Sequence, residues 1–316
     1  MNECVDAEIG EVGRMHDRLK IHCEVHRRRQ HEGTFICPSL ASDVAKNQLA
    51  YARRVLDMRF VDPTRPRVLG PGAGDRLSLG PLAAVVDQLL DHPRLFRLRF
   101  IGDHATILAG LARHGRPIQY AHLPEPVDLW DVWTSIAADP IAFEAPSAGF
   151  ALAWRILAEW RQRGIGFATL THAAGISSTG DPLLDLRLPF DEPYHIPESA
   201  AAAIACAQSR HKRIVAIGTT VARALESAVD GNGSLRPGTG VATGRLGRET
   251  PLRVVGAILT GVHERGDSHF ELLRAFGSDA LLDEVSEAFQ MHHYQPHDFG
   301  DSLLIERQSN ARQAVA

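Results

Sequence analysis

Between Thr260 and His269 the chain reads Thr-Gly-Val-His-Glu-Arg-Gly-Asp-Ser-His, which puts the side chains of His263, Glu264 and His269 in one short stretch. Imidazoles and a desolvated carboxylate exchange protons near neutral pH, so the stretch suits general acid–base work. A polar surface loop accounts for the same letters. A different chemistry is written from Ile214 to Glu226, where an apolar strand runs into Gly218-Thr219-Thr220 and then directly into a helix carrying Arg223. A helix start at the carboxyl end of a strand aims free N–H groups and partial positive charge at one spot. Gly218, Thr219, Thr220 and Arg223 therefore suit a carboxylate or phosphate. The plainer alternative is a Thr cap on a core helix, with Arg223 and Glu226 as a surface pair. A third stretch, Pro146, Ser147, Ala148 and Gly149, offers small residues just before another helix, where an anion or a flat ring can approach the backbone.

Other chemistries have less support. His292, His293, His297, Asp298 and Asp301 carry metal-ligand types, but Pro296 and Gly300 break the helix that would align His297 with Asp301. Cys23, Cys37, His22 and His26 lack the C-x2-C pair of a structural zinc site. No metal is expected. The chain has no G-x-S-x-G elbow, Walker loop or G-x-G-x-x-G fingerprint, so esterase, nucleotidase and dinucleotide-oxidoreductase readings lose their usual signatures. The four cysteines (Cys4, Cys23, Cys37, Cys206) are too scattered for a disulfide framework and fit a reducing compartment. Glu3, Asp6, Glu8 and Glu11 stand where a signal peptide would be basic. A cytoplasmic protein without membrane contact is expected, with a monomer as the simplest state. The formal net charge of -4 means that a polyanion would have to be bound through local basic clusters. Arg27, Arg28 and Arg29 form the densest, and an ordinary solvated face explains them equally.

The elements that must position these groups follow from periodicity and punctuation. Residues 1–57 show no sustained period and are unassigned. Residues 58–112 read as a small β-rich module, with Phe96–Phe100 alternating apolar and basic residues as a half-buried strand does. Residues 113–316 read as an α/β main domain. Its expected elements are a helix over Ala151–Gln162, a strand over Ile165–Leu170, a helix over Pro197–His211, a strand over Arg213–Ile217 and a helix over Val221–Val229. Helices from Asp267 or Ser268 to Gly277 and from Ser278 to His292 follow, with a closing strand over Asp301–Glu306. Alternating strands and helices predict a largely parallel sheet.

At these same segments the chain resembles the S-adenosylmethionine:tRNA ribosyltransferase-isomerase family of queuosine biosynthesis. Asp139-Pro140 with Ala145-Pro146-Ser147-Ala148-Gly149 resembles that family's E-P…A-P-T-A-G. Gly218-Thr219-Thr220 with Arg223-Ala224-Leu225-Glu226-Ser227 resembles its G-T-T-x-x-R-A-L-E-S, the most specific match. Leu259-Thr260 with His263 is similar to its L-T-N-F-H, and Gly300-Asp301 with Leu303 to Ile305 to its Y-G-D-A-M-L-I. The resemblance implies transfer and isomerisation of the ribosyl part of S-adenosylmethionine onto a 7-deazaguanine base in tRNA, with adenine and methionine released. S-adenosylmethionine is then a substrate, no cofactor or metal is used, and tRNA is the acceptor. It also implies a barrel-like α/β main domain with mixed or parallel strands and a small inserted β-barrel-like module.

Under that resemblance His263, Glu264 and His269 are the catalytic candidates, with Glu264 as proton abstractor. Pro146, Ser147, Ala148, Gly149, Glu192, Gly218, Thr219, Thr220, Arg223 and Asp301 line the substrate site, with Arg223 on the methionine carboxylate. The chain departs from the family at polar positions. Where the family has T-L-H-V-G this chain has Thr171-His172-Ala173-Ala174-Gly175, and one step along a strand turns a side chain to the other face, so the role is not carried to His172. The family's H-S-E-Y-F is matched by Phe190-Asp191-Glu192-Pro193-Tyr194, which keeps only the acid and loses the His. These departures leave two alternatives open, a paralog acting on a small-molecule acceptor and a non-catalytic nucleoside-binding relative.

Overall fold

The computed structural model describes residues 71–90, 95–115, 131–136, 147–174, 182–295 and 300–307, together with the backbone of five short strands outside those stretches. The chain divides into two compact units.

The first unit is organised around an antiparallel sheet. Its strands are β2 (Cys23–Val25), β3 (Thr34–Ile36), β4 (Arg53–Arg59), β5 (Arg76–Leu79), β6 (Leu82–Leu89) and β7 (Leu95–Ile101), in the order β2-β5-β6-β7-β4-β3. Leu77 and Leu79 alternate with exposed or half-buried neighbours, as do Leu82, Ala84 and Val86, so one face of the pleat is apolar. Gly80, at φ 58°, opens the tight turn that sets Leu79 opposite Leu82. Helix α1 (His104–His114) starts where the Asp103 carboxylate accepts the Thr106 N–H at 2.9 Å. Ile107 and Leu111, one turn apart, join Leu98 and Phe100 in the core. Burying each such side chain contributes about 1.5–3 kcal/mol. A separate antiparallel pair joins β1 (Met15–Asp17) to β8 (Ile118–Tyr120), and α3 (Pro182–Asp185) is a single turn.

The second unit holds two small sheets. One has the order β12-β10-β9, with β9 (Thr171–His172), β10 (Glu192–Ile196) and β12 (Gly238–Ala242) all antiparallel. The other has the order β11-β13-β14, with β11 (Val215–Ile217) parallel to β13 (Ala257–Gly261) and β14 (Ser302–Glu306) antiparallel to it. The helices are α2 (Trp154–Gln162), α4 (Glu198–Ser209), α5 (Thr219–Ser227), α6 (Ser268–Leu273) and α7 (Asp279–Met291). Ile196, Ala216, Ala222, Ile258, Phe270 and Phe276 meet in their common core.

The mixed α/β class stands, and three expectations are corrected. No closed barrel forms among the described residues, because the strands of the second unit run two to five residues and end in open edges. The sheet is not largely parallel: β11 with β13 is the one parallel pair among the described strands. The strand expected over Ile165–Leu170 is irregular chain, with Ile165 and Phe167 exposed, and pairing begins only at Thr171. An apolar run without a partner strand or a burying face has nothing to hold it extended. The sheet of the first unit also draws β2 and β3 from the segment that periodicity left unassigned, and α1 was not anticipated. No helix among the described residues is long and apolar enough to cross a membrane.

Candidate functional site

Strand β10 carries Glu-Pro-Tyr-His-Ile, and its period of two turns Glu192, Tyr194 and Ile196 to the buried face. The antiparallel pairing with β9 sets His172 opposite Tyr194, so His172 shares that face and lies diagonally across from Glu192. The His172 Nε2 and Glu192 Oε2 atoms are 3.1 Å apart. Burying the Glu192 carboxylate to 5% exposure requires a counter-charge, and α5 supplies it. Arg223, 2% exposed, donates through Nη1 to Glu192 at 2.5 Å. Through Nη2 it donates to the Phe190 and Ala242 carbonyls at 2.7 and 2.9 Å, and through Nε to the Gly244 carbonyl at 2.8 Å. The planar guanidinium thus joins α5 to β10 and to the end of β12.

The start of α5 follows from one glycine. Gly218 donates to the Leu259 carbonyl at 2.8 Å, then turns with φ 100° to begin the helix, a conformation L side chains rarely adopt. A Cβ there would stand 3.8 Å from that of Ala148. The turn Ser147–Ala151 therefore lies beside the helix start. Gly149 is also needed as glycine, since its Cβ would meet Ile136 at 3.0 Å and Thr134 at 3.4 Å. Ser135 fixes the same segment by donating to the Leu152 carbonyl.

Past the end of β13, buried Thr260 is hydrogen-bonded through Oγ1 to His263 Nε2 at 2.8 Å. The His263 and His269 rings meet edge to face with centroids 4.8 Å apart. The Glu264–Asp267 turn is closed by two bonds of 3.2 Å, Glu264 N–H to the Asp267 carboxylate and Asp267 N–H to the Glu264 carbonyl. Burial pushes the His269 imidazole below its ordinary pKa; Glu192 raises it and Arg223 lowers it by smaller amounts. His269 thus feels the charges of the Glu192–Arg223 pair, which links the two histidine groups electrostatically.

Of the residues singled out from the sequence, Ala148 and Gly149 meet Gly218, Glu192 meets Arg223, and His263 meets His269. Thr219 is buried and Thr220 half-buried at the start of α5. Asp301 lies beside Val262, whose N–H its carbonyl accepts at 3.3 Å, while its carboxylate accepts the Gln295 N–H at 2.8 Å. Pro146, His297 and Asp298 lie outside the described residues. Among the described residues no three His, Cys, Asp or Glu side chains gather as metal ligands would.

Two expectations change. Arg223 is neither a surface partner of Glu226 nor turned toward a substrate carboxylate, because its guanidinium is engaged by Glu192 and three carbonyls. Glu226 instead accepts the successive N–H groups of Arg253, Val254 and Val255 at 2.7–2.9 Å. His172, set aside for its one-residue offset, is on the Glu192 face after all. Its signal was the acid twenty residues on; only the strand register shows that the two meet.

Two imidazole groups and a carboxylate gathered beside a glycine helix start make an acid–base site within a mixed α/β unit. The family described as queuosine biosynthesis protein matches residues 51–305, and the chain belongs to that family. The S-adenosylmethionine:tRNA ribosyltransferase-isomerase of Trichlorobacter lovleyi is 29% identical over 238 residues, 74% of this chain and 70% of that protein. The protein of the same name from Deinococcus radiodurans is 30% identical over 243 residues, 75% of this chain and 66% of its own length. That from Geotalea uraniireducens is 34% identical over 169 residues, 52% of this chain and 49% of its own length. About a third of the length of the first two relatives lies outside the aligned stretch.

Proposed function

We propose that this chain is an S-adenosylmethionine:tRNA ribosyltransferase-isomerase. It transfers the ribosyl part of S-adenosylmethionine to a 7-aminomethyl-7-deazaguanine base in tRNA and rearranges it, releasing adenine and methionine. The observation that carries this reading is the convergence of the His172–Glu192–Arg223 and His263–His269 groups in the unit that also sets Ala148 and Gly149 beside the start of α5. Family membership and the names of the relatives support it.

The chemistry requires a base for a proton made acidic by the sulfonium and an acid or hydrogen bond to help adenine leave. Burial keeps the His269 imidazole neutral and thus able to take a proton. Glu264 and His263 complete the catalytic set, with Glu264 able to stay ionised beside a sulfonium. Gly218, Thr219 and Thr220 hold the methionine carboxylate through the N–H groups at the start of α5. Pro146, Ser147, Ala148 and Gly149 flank it, Glu192 and Asp301 close the site, and Arg223 acts indirectly by holding Glu192. The reaction needs no added metal and runs in the cytoplasm. Activity abolished by a chelator and restored by zinc or manganese would overturn the first of these statements.

Calorimetry with S-adenosylmethionine, followed by an adenine-release assay with acceptor tRNA, tests the reading. Binding and tRNA-dependent adenine release are expected; no heat and no thermal shift at millimolar ligand would overturn it. Among His263→Ala, Glu264→Gln and His269→Ala, at least one is expected to lose ~10²–10⁴-fold in rate. Retention of rates within about fivefold by all three would reduce the segment to a polar loop. The net charge of -4 favours one second reading, transfer to a small-molecule acceptor, which adenine release independent of tRNA would establish.

A further inference from the structure

Buried side-chain atoms without a hydrogen-bond partner among the described residues are Thr134 Oγ1, Ser268 Oγ, Arg274 Nε and Asp283 Oδ1. Arg274 is ion-paired with Asp279 and Glu271, and Asp283 with Arg265, so their charges are balanced. Ser268 begins the six-residue helix α6, where free polar groups are ordinary. Thr134 has no such explanation. It is 3% exposed, and burying a hydroxyl without a partner opposes folding.

Its position is fixed from both sides. Ser135 is tied to the Leu152 carbonyl, and Ile136 and Thr134 press on Gly149 where any Cβ would intrude. Gly149 follows Ala148, which lies against Gly218 at the start of α5. Thr134 thus stands next to the small-residue turn that leads to the helix start, although nothing in its sequence surroundings marked it as a site residue.

We propose that the Thr134 hydroxyl is a binding group for the nucleoside part of the substrate, hydrogen-bonding a ribose hydroxyl or the adenine edge. The assignment rests on the reading of S-adenosylmethionine as substrate. The argument is chemical. A turn of Ala148 and Gly149 facing a glycine leaves room for a flat ring or sugar to approach the backbone, and a buried hydroxyl at its edge supplies the missing polar contact. A site built to hydrogen-bond a ligand hydroxyl or N–H leaves its own polar group unpaired until that ligand arrives.

Thr134→Val keeps the shape and removes the hydroxyl, so calorimetry and thermal unfolding of the full chain separate binding from structure. The probes are S-adenosylmethionine and 5′-methylthioadenosine, which lacks the amino-acid arm. This substitution is not expected to lower the unfolding temperature of the free protein, since no internal hydrogen bond is broken. The dissociation constants of both probes are expected to rise about five- to tenfold, and Thr134→Ser is expected to restore them to within about threefold of the parent. Parent-like affinity of Thr134→Val for both probes overturns the assignment and leaves the function intact. A clear fall in the unfolding temperature of the free variant overturns it too, because the hydroxyl would then be paired within the protein. Failure of the parent to bind S-adenosylmethionine removes the functional reading, and this assignment with it.

Discussion

The two units solve burial in opposite ways. In the first, the core between the sheet and α1 is made of Leu, Val, Ala, Ile and Phe. In the second, a larger apolar core surrounds Glu192, Arg223, Thr219 and Thr260, with Thr134 buried in the same unit. Asp75 is the one buried polar residue described in the first unit, and there its carboxylate serves a turn by accepting the Gly72 N–H at 2.7 Å. Polar burial costs free energy that an apolar core avoids. Its concentration in one unit marks where the molecule does something besides fold.

Substitutions that separate the two kinds of burial can break this comparison. The largest effect is expected from Arg223→Met, which leaves the Glu192 carboxylate buried beside carbonyls with no counter-charge. Breaking such a pair costs about 3–5 kcal/mol, readable by urea unfolding. Adding Glu192→Leu is expected to restore much of that stability without restoring activity. A loss under about 1 kcal/mol for Arg223→Met, the range of an exposed pair, would show that the pair does not hold the second unit together.

Leu98→Ala, in the apolar core of the first unit, is expected to cost about 2–5 kcal/mol. S-adenosylmethionine affinity, measured well below the unfolding transition, is expected to stay unchanged. A parallel loss of affinity would mean that the apolar unit also shapes the site. Gly218→Ala is expected to cost about 1–3 kcal/mol from left-handed backbone strain, and to weaken ligand binding by disturbing the start of α5. Full stability with full affinity would show that the helix start tolerates a side chain and that its glycine is incidental.

The smallest effect concerns pH. Because the folded protein holds His269 below its ordinary pKa of 6.5, acidification protonates this group in the unfolded chain before it does so in the native state. The stability this residue contributes is present above about pH 6.5 and is lost as the pH falls below it, with a slope of no more than about 1.4 kcal/mol per pH unit. Unfolding curves between pH 7.5 and 5 are expected to flatten in His269→Asn. An unchanged slope would leave His269 outside the electrostatic cluster.

What could be read from the sequence follows the range of the interactions involved. Helix α7 announces itself through Ser278, whose hydroxyl accepts the Leu281 N–H at 3.3 Å, and α5 through the glycine before its two threonines. These are local signals within one turn of chain. The strand expected over Ile165–Leu170 failed because an apolar run specifies burial and not pairing. β9 keeps two residues of strand, and which face His172 takes is decided by a neighbour twenty residues away. Arg223 shows the same limit within the site. Its presence was legible, but its four partners lie 19 to 33 residues off in sequence, so its inward role was not. Thr134 had no sequence signal, since a hydroxyl without a partner is a property of packing alone.

The carboxylate of Glu226 has a consequence for exchange with solvent. Residues 251–255 form neither helix nor strand, and such a segment ordinarily opens readily and trades its amide hydrogens for deuterium. Here the N–H groups of Arg253, Val254 and Val255 are all held by one side chain from α5, and Val254 and Val255 are buried. The segment should therefore resist deuteration as long as α5 stays folded. Its protection would then report on a helix that it does not belong to.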